Sequence, residues 1–344
     1  MKTLIDKAAE THSLEYKEIL ALIKDNSENE YLFKKADEVR KQFVGDEVHL
    51  RGLIEFSNVC ACNCQYCGLQ KDNSKVERYK MTVDEIFETA KKAVENGYKT
   101  IVLQSGESKV YSIEELCDLI KRIKQLDVAV TLSIGEKNEA EYRALREAGA
   151  DRYLLRIETT SFKLYRKLHP DMSLSRRMAC LTFLKKIGFE IGTGDLIGLP
   201  EQTDESIAED IMFFKEFEAD MIGLGPFIPN PDTPLKNEIG GTFEKALKVM
   251  AITRLLIPDA NIPATTAMET IRPDGRIIAL QSGANVVMPN VNETYYRTKY
   301  ELYPNKKCVN EDADKCRQCI EEKIKSIGRT IGTSQGFRVR HNAK

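Results

Sequence analysis

The feature that most constrains this chain is a group of four cysteines within eight residues, CACNCQYC at positions 60–67. Cys60, Cys64 and Cys67 have the spacing C-x3-C-x2-C. Three thiolates on so short a loop can hold three irons of a 4Fe-4S cube and leave the fourth iron open to an outside ligand. The spacing therefore predicts a cluster that takes part in chemistry. Cys62 is interpreted as a small loop residue, because the ligand spacing works without it.

Other uses of these cysteines fit less well. A structural zinc site needs four ligands, and the four histidines, at positions 12, 49, 169 and 341, are scattered and read as structural or surface residues. The chain begins MKT without an apolar signal segment, so we expect a cytoplasmic protein with reduced thiols. A plain electron carrier would need a fourth cysteine of suitable spacing after Cys67, and none follows.

Charge and hydropathy exclude two further classes of partner. The 344 residues include 51 Lys and Arg against 53 Asp and Glu, and neither sign forms a long block that would indicate a nucleic-acid surface. No apolar run approaches the roughly 18 to 20 residues that span a membrane. A small-molecule substrate is the remaining expectation.

Hydrophobic periodicity predicts alternating strands and helices after a helical N-terminal arm, residues 1–45. The predicted strands are 50–56, 100–104, 129–133, 152–157, 191–196, 221–224, 262–266 and 285–288. The predicted helices are 83–96, 113–125, 139–148, 174–187, 206–218 and 243–256. Eight such units indicate an α/β protein, a complete (β/α)8 TIM-type barrel over residues 46–290, with a C-terminal extension over 291–344.

In such a barrel the carboxyl ends of the strands carry the active site, and the cysteine loop follows the first strand directly. Several polar residues then converge on it. They are Gln104, Ser105 and Glu107 after the second strand, Thr131 and Ser133 on the third, Arg152, Arg156 and Glu158 on the fourth, and Thr265 and Thr266 on the seventh. Alternating Arg, Glu and Thr suit a zwitterionic, amino-acid-like ligand.

Tyr66 before the last cysteine and Ser105-Gly106-Glu107 after the second strand resemble the radical S-adenosylmethionine superfamily. The chain is most similar to one branch of it, the radical maturases of FeFe-hydrogenase, which is related to biotin synthase. The matching stretches are GDEVH at 45–49, IEFSN at 54–58, VLQSGE at 102–107, TLSIGE at 131–136, GPFIP at 225–229 and IPATTAM at 262–268.

The resemblance implies roles for individual residues. Cys60, Cys64 and Cys67 would ligate the 4Fe-4S cluster, and Glu107 would bind the amine of S-adenosylmethionine. Arg177, with Arg156, would pair with its carboxylate, since a guanidinium matches a carboxylate in a bidentate fashion. The remaining cofactor-binding residues would be Glu158 at the ribose, the backbone near Met288 at the adenine, and Gln104, Ser105 and Ser133. The substrate-binding residues would be Arg152, Thr265, Thr266 and Tyr303.

A second group of cysteines lies beyond the last predicted strand, at Cys308, Cys316 and Cys319. Their spacing, C-x7-C-x2-C, fits a second iron-sulfur cluster, 2Fe-2S or 4Fe-4S, as the resemblance also implies. A zinc ion with an outside fourth ligand is the main alternative.

By resemblance, the enzyme would use a 5′-deoxyadenosyl radical on a small cysteine- or sulfur-containing iron carbonyl-cyanide complex, in assembly of the hydrogenase di-iron subcluster. Its partners would be a tyrosine-cleaving radical enzyme, a GTPase scaffold, and ferredoxin or flavodoxin as reductant. Two related activities stay open: a methylornithine-forming mutase that acts on an amino acid, and sulfur chemistry like that of biotin synthase.

Overall fold

The computed structural model describes residues 1–310 and 313–340. The chain starts with three helices that form the predicted N-terminal arm. They are α1 (Lys2–Thr11), α2 (Tyr16–Lys24) and α3 (Asn29–Val44). Each helix buries one apolar stripe, such as Ile19, Leu22 and Ile23 of α2, as expected for amphipathic helices that pack on a core.

In the described residues, nine short strands follow in two parallel sheets. They are β1 (Glu47–Leu50), β2 (Gly52–Ser57), β3 (Thr100–Ser105), β4 (Ala129–Ser133), β5 (Arg152–Leu154), β6 (Glu190–Ile197), β7 (Met221–Pro226), β8 (Val286–Val287) and β9 (Thr330–Ile331). The larger sheet has the order β2-β3-β4-β5-β6-β7, and the smaller one the order β8-β1-β9. Every strand pair is parallel, so all carboxyl ends of the six-stranded sheet lie at one edge.

The connections are helical, as the periodicity predicted. The helices are α4 (Val83–Glu95), α5 (Ile113–Lys124), α6 (Glu139–Glu147), α7 (Phe162–Leu168), α8 (Leu174–Lys186), α9 (Asp204–Glu216), α10 (Phe243–Leu256), α11 (Thr266–Ile271), α12 (Gly275–Leu280), α13 (Thr294–Arg297) and α14 (Ala313–Ser326). Thr82, Ser112 and Asn138 cap α4, α5 and α6, each in a reciprocal capping box with a glutamate three residues on. These caps satisfy the free amides of the first turn and fix where the helices begin.

The seventh predicted strand, Ile262–Thr266, is not regular. Asn261 and Pro263 form only isolated parallel bridges, to Met221 and Val286, and α11 already begins at Thr266. Proline has no amide hydrogen for a strand ladder, which explains the interruption. The first predicted strand also divides, into β1 and β2. The fold is therefore an α/β fold with a six-stranded parallel sheet, and the predicted complete ring of eight strands is not a continuous sheet.

The C-terminal residues pack back on the rest of the chain. β9 pairs with β1, and the carbonyl of Gly336 accepts hydrogen bonds from Arg51 (3.1 Å) and Asn261 (3.2 Å). The last described residues thus lie at the amino-terminal side of the strands, opposite the cysteine loop. Within the described ranges, no helix has both the length and the apolar character to cross a membrane.

Candidate active site

The cysteine loop leaves the carboxyl end of β2 and is held by backbone hydrogen bonds. The amide of Ala61 donates to the carbonyl of Glu107 (2.7 Å), and the amide of Lys71 donates to the carbonyl of Cys62 (2.9 Å). Gly106 makes the first contact possible: a Cβ there would lie 2.8 Å from the Cβ of Cys60. The loop is therefore bound to the end of the neighbouring strand β3 as well as to its own.

Arg78 donates hydrogen bonds to several carbonyls on the far side of the cysteine loop. Its Nη1 donates to the carbonyls of Asn58 (2.7 Å) and Leu69 (2.9 Å), and its Nη2 donates to that of Gln70 (2.7 Å). A guanidinium with five donors can satisfy several loop carbonyls at once. The sequence reading did not identify this residue, because its role depends on contacts that a linear pattern does not contain.

The three thiols of the C-x3-C-x2-C spacing lie on one partly buried loop, and in the described part of the chain they do not converge on a single metal-ion position. Cys60, Cys64 and Cys67 are each half-buried, while Cys62 is buried. A hydrogen bond from the Cys62 thiol lowers the pKa of Cys60 to about 6, whereas burial raises the pKa of Cys67 to about 12 and that of Cys64 well above its usual range. Buried thiols of this kind release their protons when iron supplies the compensating charge.

Tyr66, between the second and third of these cysteines, is tied to the end of α7. Its hydroxyl lies 3.0 Å from Nε2 of His169, and the His169 Nδ1 lies 3.2 Å from the carbonyl of Tyr165. Since a carbonyl can only accept, Nδ1 carries the proton and Nε2 accepts from Tyr66. Burial lowers the pKa of His169 to about 3, which keeps the ring neutral. The histidine is structural, as predicted, but it supports the loop directly.

Glu107 lies against the turn after β4. Its Oε2 accepts a hydrogen bond from the amide of Glu136 (2.9 Å), and burial raises its pKa. The turn passes so close because residue 135 is glycine with φ of +74°, and a Cβ there would lie 2.2 Å from the Glu107 Oε2. The half-buried Glu107 carboxyl is thus held at the carboxyl edge of the sheet.

Glu136, which was not among the predicted site residues, organises two arginines of α8. Its Oε1 accepts from Nε of Arg177 (2.8 Å) and its Oε2 from Nε of Arg176 (2.9 Å). Arg177 is buried and also donates from Nη1 to the carbonyl of Arg156 (2.6 Å). Glu136 stands in the TLSIGE stretch, and this was the available sequence signal.

Arg156 and Glu158 follow β5 and have unused hydrogen-bonding capacity. The Arg156 Nη2 lies 3.2 Å from the Glu158 Oε2, yet neither this nitrogen nor Nε has a hydrogen-bond partner in the described part of the chain. Glu158 has φ of +62°, and its Oε2 accepts from the amide of Leu196 (3.1 Å). Buried donors without partners are costly, so these two guanidinium nitrogens mark a place where an anionic ligand would be stabilised.

A buried carboxyl pair lies behind this turn. Asp210 of α9 accepts at Oδ1 from the amide (2.6 Å) and the hydroxyl (2.7 Å) of Thr160. Asp195 of β6 is buried, and it lies within hydrogen-bonding reach of Asp210. Burial and the Asp210 charge raise the pKa of Asp195 well above its usual range. We infer that Asp195 is protonated and donates to Asp210, which in turn holds the turn of residues 158–160.

The Asp195→Asn variant tests this assignment. Above about pH 4, the folded chain retains a proton at Asp195 that the unfolded chain has released, so the free energy of unfolding falls as pH rises. Asparagine can still donate to Asp210 but does not titrate. The variant should therefore gain stability relative to the wild type as pH rises, by up to about 1.4 kcal/mol per pH unit. Urea unfolding of the cluster-free chain between pH 5 and pH 8 (roughly the range in which carboxyl linkage is measured) gives the slope.

The control is Asp171→Asn, which removes an exposed carboxyl and should leave the pH dependence as in the wild type. Parallel curves for Asp195→Asn and the wild type would contradict a protonated Asp195.

The threonines and Tyr303 form another polar group. Thr265 caps α11, and its buried Oγ1 has no partner among the described residues. The hydroxyl of Thr266 accepts from Nη2 of Arg276 (2.7 Å), and Arg276 also pairs with Glu269 (2.9 Å). Burial raises the pKa of Tyr303 above its usual range, against the opposing charge of Arg276.

Four other predicted residues lie at the ends of neighbouring strands. Gln104 and Ser105 end β3, Ser133 ends β4, and Met288 directly follows β8. The Gln104 Nε2 lies 3.4 Å from the hydroxyl of Tyr300, which is a weak hydrogen bond. Their positions agree with a common edge, because the carboxyl ends of parallel strands lie together.

Arg152 does not join this group, which corrects its assignment as a substrate-binding residue. It is the first residue of β5, so it lies at the amino-terminal side of the sheet. Its guanidinium donates to the carbonyl of Gln335 (2.8 Å), pairs with Glu190 at 2.5 Å and stacks on the ring of Phe337, 4.0 Å from the centroid. Three residues separate Arg152, at the start of β5, from Arg156, which follows its end, so one arginine lies at each side of the sheet.

The C-terminal cysteines come together in part. Cys316 of α14 is buried and within hydrogen-bonding reach of Cys308, while Cys319 is exposed one helical turn further on. The Cys308 carbonyl accepts from Nη1 of Arg297 (3.0 Å). Residues 311 and 312, between Cys308 and Cys316, lie outside the described residues, as does His341.

Two family models match successive parts of the chain. A model of the radical SAM superfamily matches residues 54–214, and a model of the biotin and thiamin synthesis associated domain matches residues 224–319. The [FeFe] hydrogenase maturase subunit HydE of Thermotoga maritima is 54% identical over 318 residues, 92% of this chain and 91% of that protein. The 3-methylornithine synthase of Methanosarcina acetivorans is 31% identical over 287 residues, 82% and 81% of the two chains.

Solved structures agree with the fold. The crystal structure of methylornithine synthase (PylB) has a TM-score of 0.85 at 26% identity and covers 96% of this chain and 97% of its own. The structure of HydG, described as a maturase of the [FeFe]-hydrogenase, has a TM-score of 0.82 at 19% identity, with 96% and 75% covered. At that identity the second likeness concerns the fold alone.

Proposed function

Because this chain belongs to the radical S-adenosylmethionine superfamily, and within it to the [FeFe] hydrogenase maturases of the HydE type, we propose that it acts as a radical enzyme in assembly of the hydrogenase di-iron subcluster. Enzymes of this superfamily use a 4Fe-4S cluster and S-adenosylmethionine. The observation that carries the proposal is the three-cysteine loop at the carboxyl edge of the parallel sheet, beside Glu107 and the unpartnered guanidinium nitrogens of Arg156.

In this proposal Cys60, Cys64 and Cys67 hold the cluster and Glu107 receives the amine of S-adenosylmethionine. When bound, the pair supplies a 5′-deoxyadenosyl radical. Arg156 is the better candidate for binding the carboxylate of S-adenosylmethionine. Two nitrogens of Arg177 already donate hydrogen bonds, Nε to Glu136 and Nη1 to the Arg156 carbonyl. Arg177 then orients Arg156 by its backbone. The cofactor-binding roles of Gln104, Ser105, Ser133, Glu158 and Met288 stand as proposals.

Without Arg152, the proposed substrate-binding residues are Thr265, Thr266 and Tyr303. Thr265 offers a buried hydroxyl without a partner, and Gly225 leaves room in front of it, since a Cβ at 225 would lie 2.9 Å from that oxygen. Hydroxyls and the nearby Arg276 can surround a small anionic complex without acting as acids or bases. A radical reaction needs such a dry and rigid setting more than it needs proton transfer.

The finer architectural proposal is a closed (β/α)8 barrel. It is supported by the isolated bridges Met221 to Asn261, Pro263 to Val286 and Leu53 to Asn290, which connect β7 through residues 261–263 and β8 to β2. The proposed division remains an arm (1–45), a barrel (46–290) and an extension (291–344) with Cys308, Cys316 and Cys319 as a second cluster site.

The proposed substrate is the small cysteine-bound iron carbonyl-cyanide unit. The proposed partners are the tyrosine-cleaving radical enzyme that supplies it and the GTPase scaffold that receives the product, with ferredoxin or flavodoxin as reductant in the cytoplasm. Similarity to the Thermotoga maritima maturase supports this assignment.

The test is anaerobic reconstitution with iron and sulfide, followed by EPR spectroscopy of the reduced cluster with and without S-adenosylmethionine. We expect the 4Fe-4S signal to change on addition and 5′-deoxyadenosine to appear on reduction. An unchanged spectrum would contradict the proposed site. Restoration of hydrogenase activity in a maturation mixture that lacks its own maturase of this type would then test the pathway role.

A mutase of an amino acid is the second candidate, favoured by the 31% identity to 3-methylornithine synthase and the TM-score of 0.85 to PylB. The reconstituted enzyme, incubated with lysine, would form 3-methylornithine if this alternative held. Sulfur donation as in biotin synthase is disfavoured, because the additional cysteines 308, 316 and 319 lie between β8 and β9 and on neither of them.

A further inference from the structure

The outer face of α7 is exposed, basic and directly attached to the cysteine loop. Phe162 is 65% exposed, and Lys163, Arg166 and Lys167 are exposed on the same helix. These four residues form one face, because positions three and four apart, such as 163 and 166 or 162 and 166, are neighbours on a helix. Leu164, Tyr165 and Leu168 on the other face are buried. We call the exposed set the α7 face.

The α7 face is a short distance from the cluster ligands through the backbone. The carbonyl of Leu168, the last residue of α7, accepts from the amide of Gln65 (2.9 Å), which lies inside the C-x2-C segment. The next residue, His169, accepts from Tyr66, which precedes Cys67. The C-terminal end of α7 is thus hydrogen-bonded directly to the loop that carries the proposed cluster ligands.

Other exposed cations flank the same loop. Lys71 is exposed, and its amide is bonded to the carbonyl of Cys62. Lys109 is exposed two residues after Glu107, whose carbonyl binds Ala61. Five cations therefore lie on the α7 face or beside the loop, in a chain whose formal net charge is -2. The acidic neighbours are Glu201, which pairs with Lys167 and whose pKa is lowered by Lys167 and Lys163, Glu238, which acts on Lys167, and the exposed Asp72 beside Lys71.

We propose that the α7 face, with Lys71 and Lys109, is the docking surface for an acidic one-electron carrier protein. This inference rests on the proposed function, since a cluster that starts radical chemistry must receive one electron from outside for each cleavage. In the docked complex one electron leaves the carrier and enters the cluster, and no bond or proton is exchanged. Positive charge around the acceptor attracts an acidic partner and raises its rate of association.

The size and composition of the patch suit such a partner. Electron-transfer complexes are small and transient, at the low end of protein interfaces, below about 1,200 Å². One seven-residue helix with a single exposed aromatic and several cations matches that class better than a permanent apolar interface. Basic residues grouped round one aromatic are also too few for a nucleic-acid surface.

The experiment compares two electron donors on the reconstituted full chain with S-adenosylmethionine bound. The donors are flavodoxin in its hydroquinone form, as the acidic protein, and dithionite, as a small reductant. The variant is Lys163→Glu with Arg166→Glu, and the matched control is Lys91→Glu with Lys92→Glu. The control lysines are exposed in the last turns of α4, which runs back towards the amino ends of the strands.

We expect the second-order rate constant for reduction by flavodoxin to fall about tenfold or more in the α7 variant at low ionic strength. The difference should shrink at about 1 M salt, where the Debye length is about 3 Å. Release of 5′-deoxyadenosine with dithionite should equal that of the wild type. Phe162→Ser, which keeps the charges, should raise the flavodoxin concentration needed for half-maximal rate.

Three results would overturn the docking surface: an unchanged flavodoxin rate constant in the α7 variant, an equal fall in the α4 control, or a parallel loss of the dithionite-driven reaction. Failure of the wild type to cleave S-adenosylmethionine with dithionite would instead contradict the proposed function. The two failures are therefore distinguishable.

Discussion

Cys64→Ala is expected to abolish the cluster-dependent cleavage of S-adenosylmethionine. The variant leaves two thiolates at Cys60 and Cys67, and a cube held at two irons loses the geometry that keeps only one iron open. Alanine also removes a half-buried thiol whose pKa burial raises well above its usual range, so the chain itself should fold. The measurement is iron and acid-labile sulfide content after reconstitution, together with 5′-deoxyadenosine release on reduction.

Two other cysteines serve as matched controls. Cys62→Ala changes the same loop at the position outside the C-x3-C-x2-C spacing, and Cys117→Ala changes a half-buried thiol on α5. Both should retain the cluster and the cleavage reaction. Loss of the cluster in Cys62→Ala, or its retention in Cys64→Ala, would show that the ligand set has been assigned incorrectly.

Gly135→Ala should have the second-largest effect, a near-complete loss of S-adenosylmethionine binding. A Cβ at 135 would lie 2.2 Å from Oε2 and 2.5 Å from Cβ of Glu107, so the whole side chain must move away from its hydrogen bond with the Glu136 amide. The backbone at 135 also has φ of +74°, which costs an alanine about 1–2 kcal/mol. Equilibrium binding of S-adenosylmethionine to the reconstituted enzyme measures the loss.

The control variant Gly45→Ala distinguishes the effect of backbone strain from the effect of moving the Glu107 side chain. Gly45 has φ of +71° and ψ of −167°, a conformation that strongly favours glycine, but a Cβ there has no heavy atom within 4 Å. This control should lose about 1–3 kcal/mol of stability and bind S-adenosylmethionine as the wild type does. If Gly135→Ala binds S-adenosylmethionine normally, or if both variants lose binding equally, the turn at residue 135 does not position Glu107 for binding.

Several features of this protein could be read from local sequence alone. The bounds of α4, α5, α6 and α8 match their predictions to within one residue at each end. The reason is that capping residues and apolar periodicity act over a few neighbouring positions. The spacing of Cys60, Cys64 and Cys67 is likewise a local property, and the family that it indicated was confirmed by comparison.

Other features depended on contacts between distant segments. The prediction of a regular seventh strand was wrong, because Pro263 has no amide to donate, although its bridge to Val286 survives. The resemblance implies a substrate-binding role for Arg152, but Gln335 and Phe337, more than 180 residues later, contact it at the amino-terminal side of the sheet.

The sequence by itself determined the cluster motif, most helices and the family, since each is encoded in short-range spacing or in the match of many positions at once. Only the tertiary structure decided which charged groups meet. Glu136 pairs with Arg176 and Arg177, Asp195 lies beside Asp210, and Gly135 leaves room for Glu107. A buried charge is stable only beside a partner, and the fold chooses that partner from elements far apart along the chain.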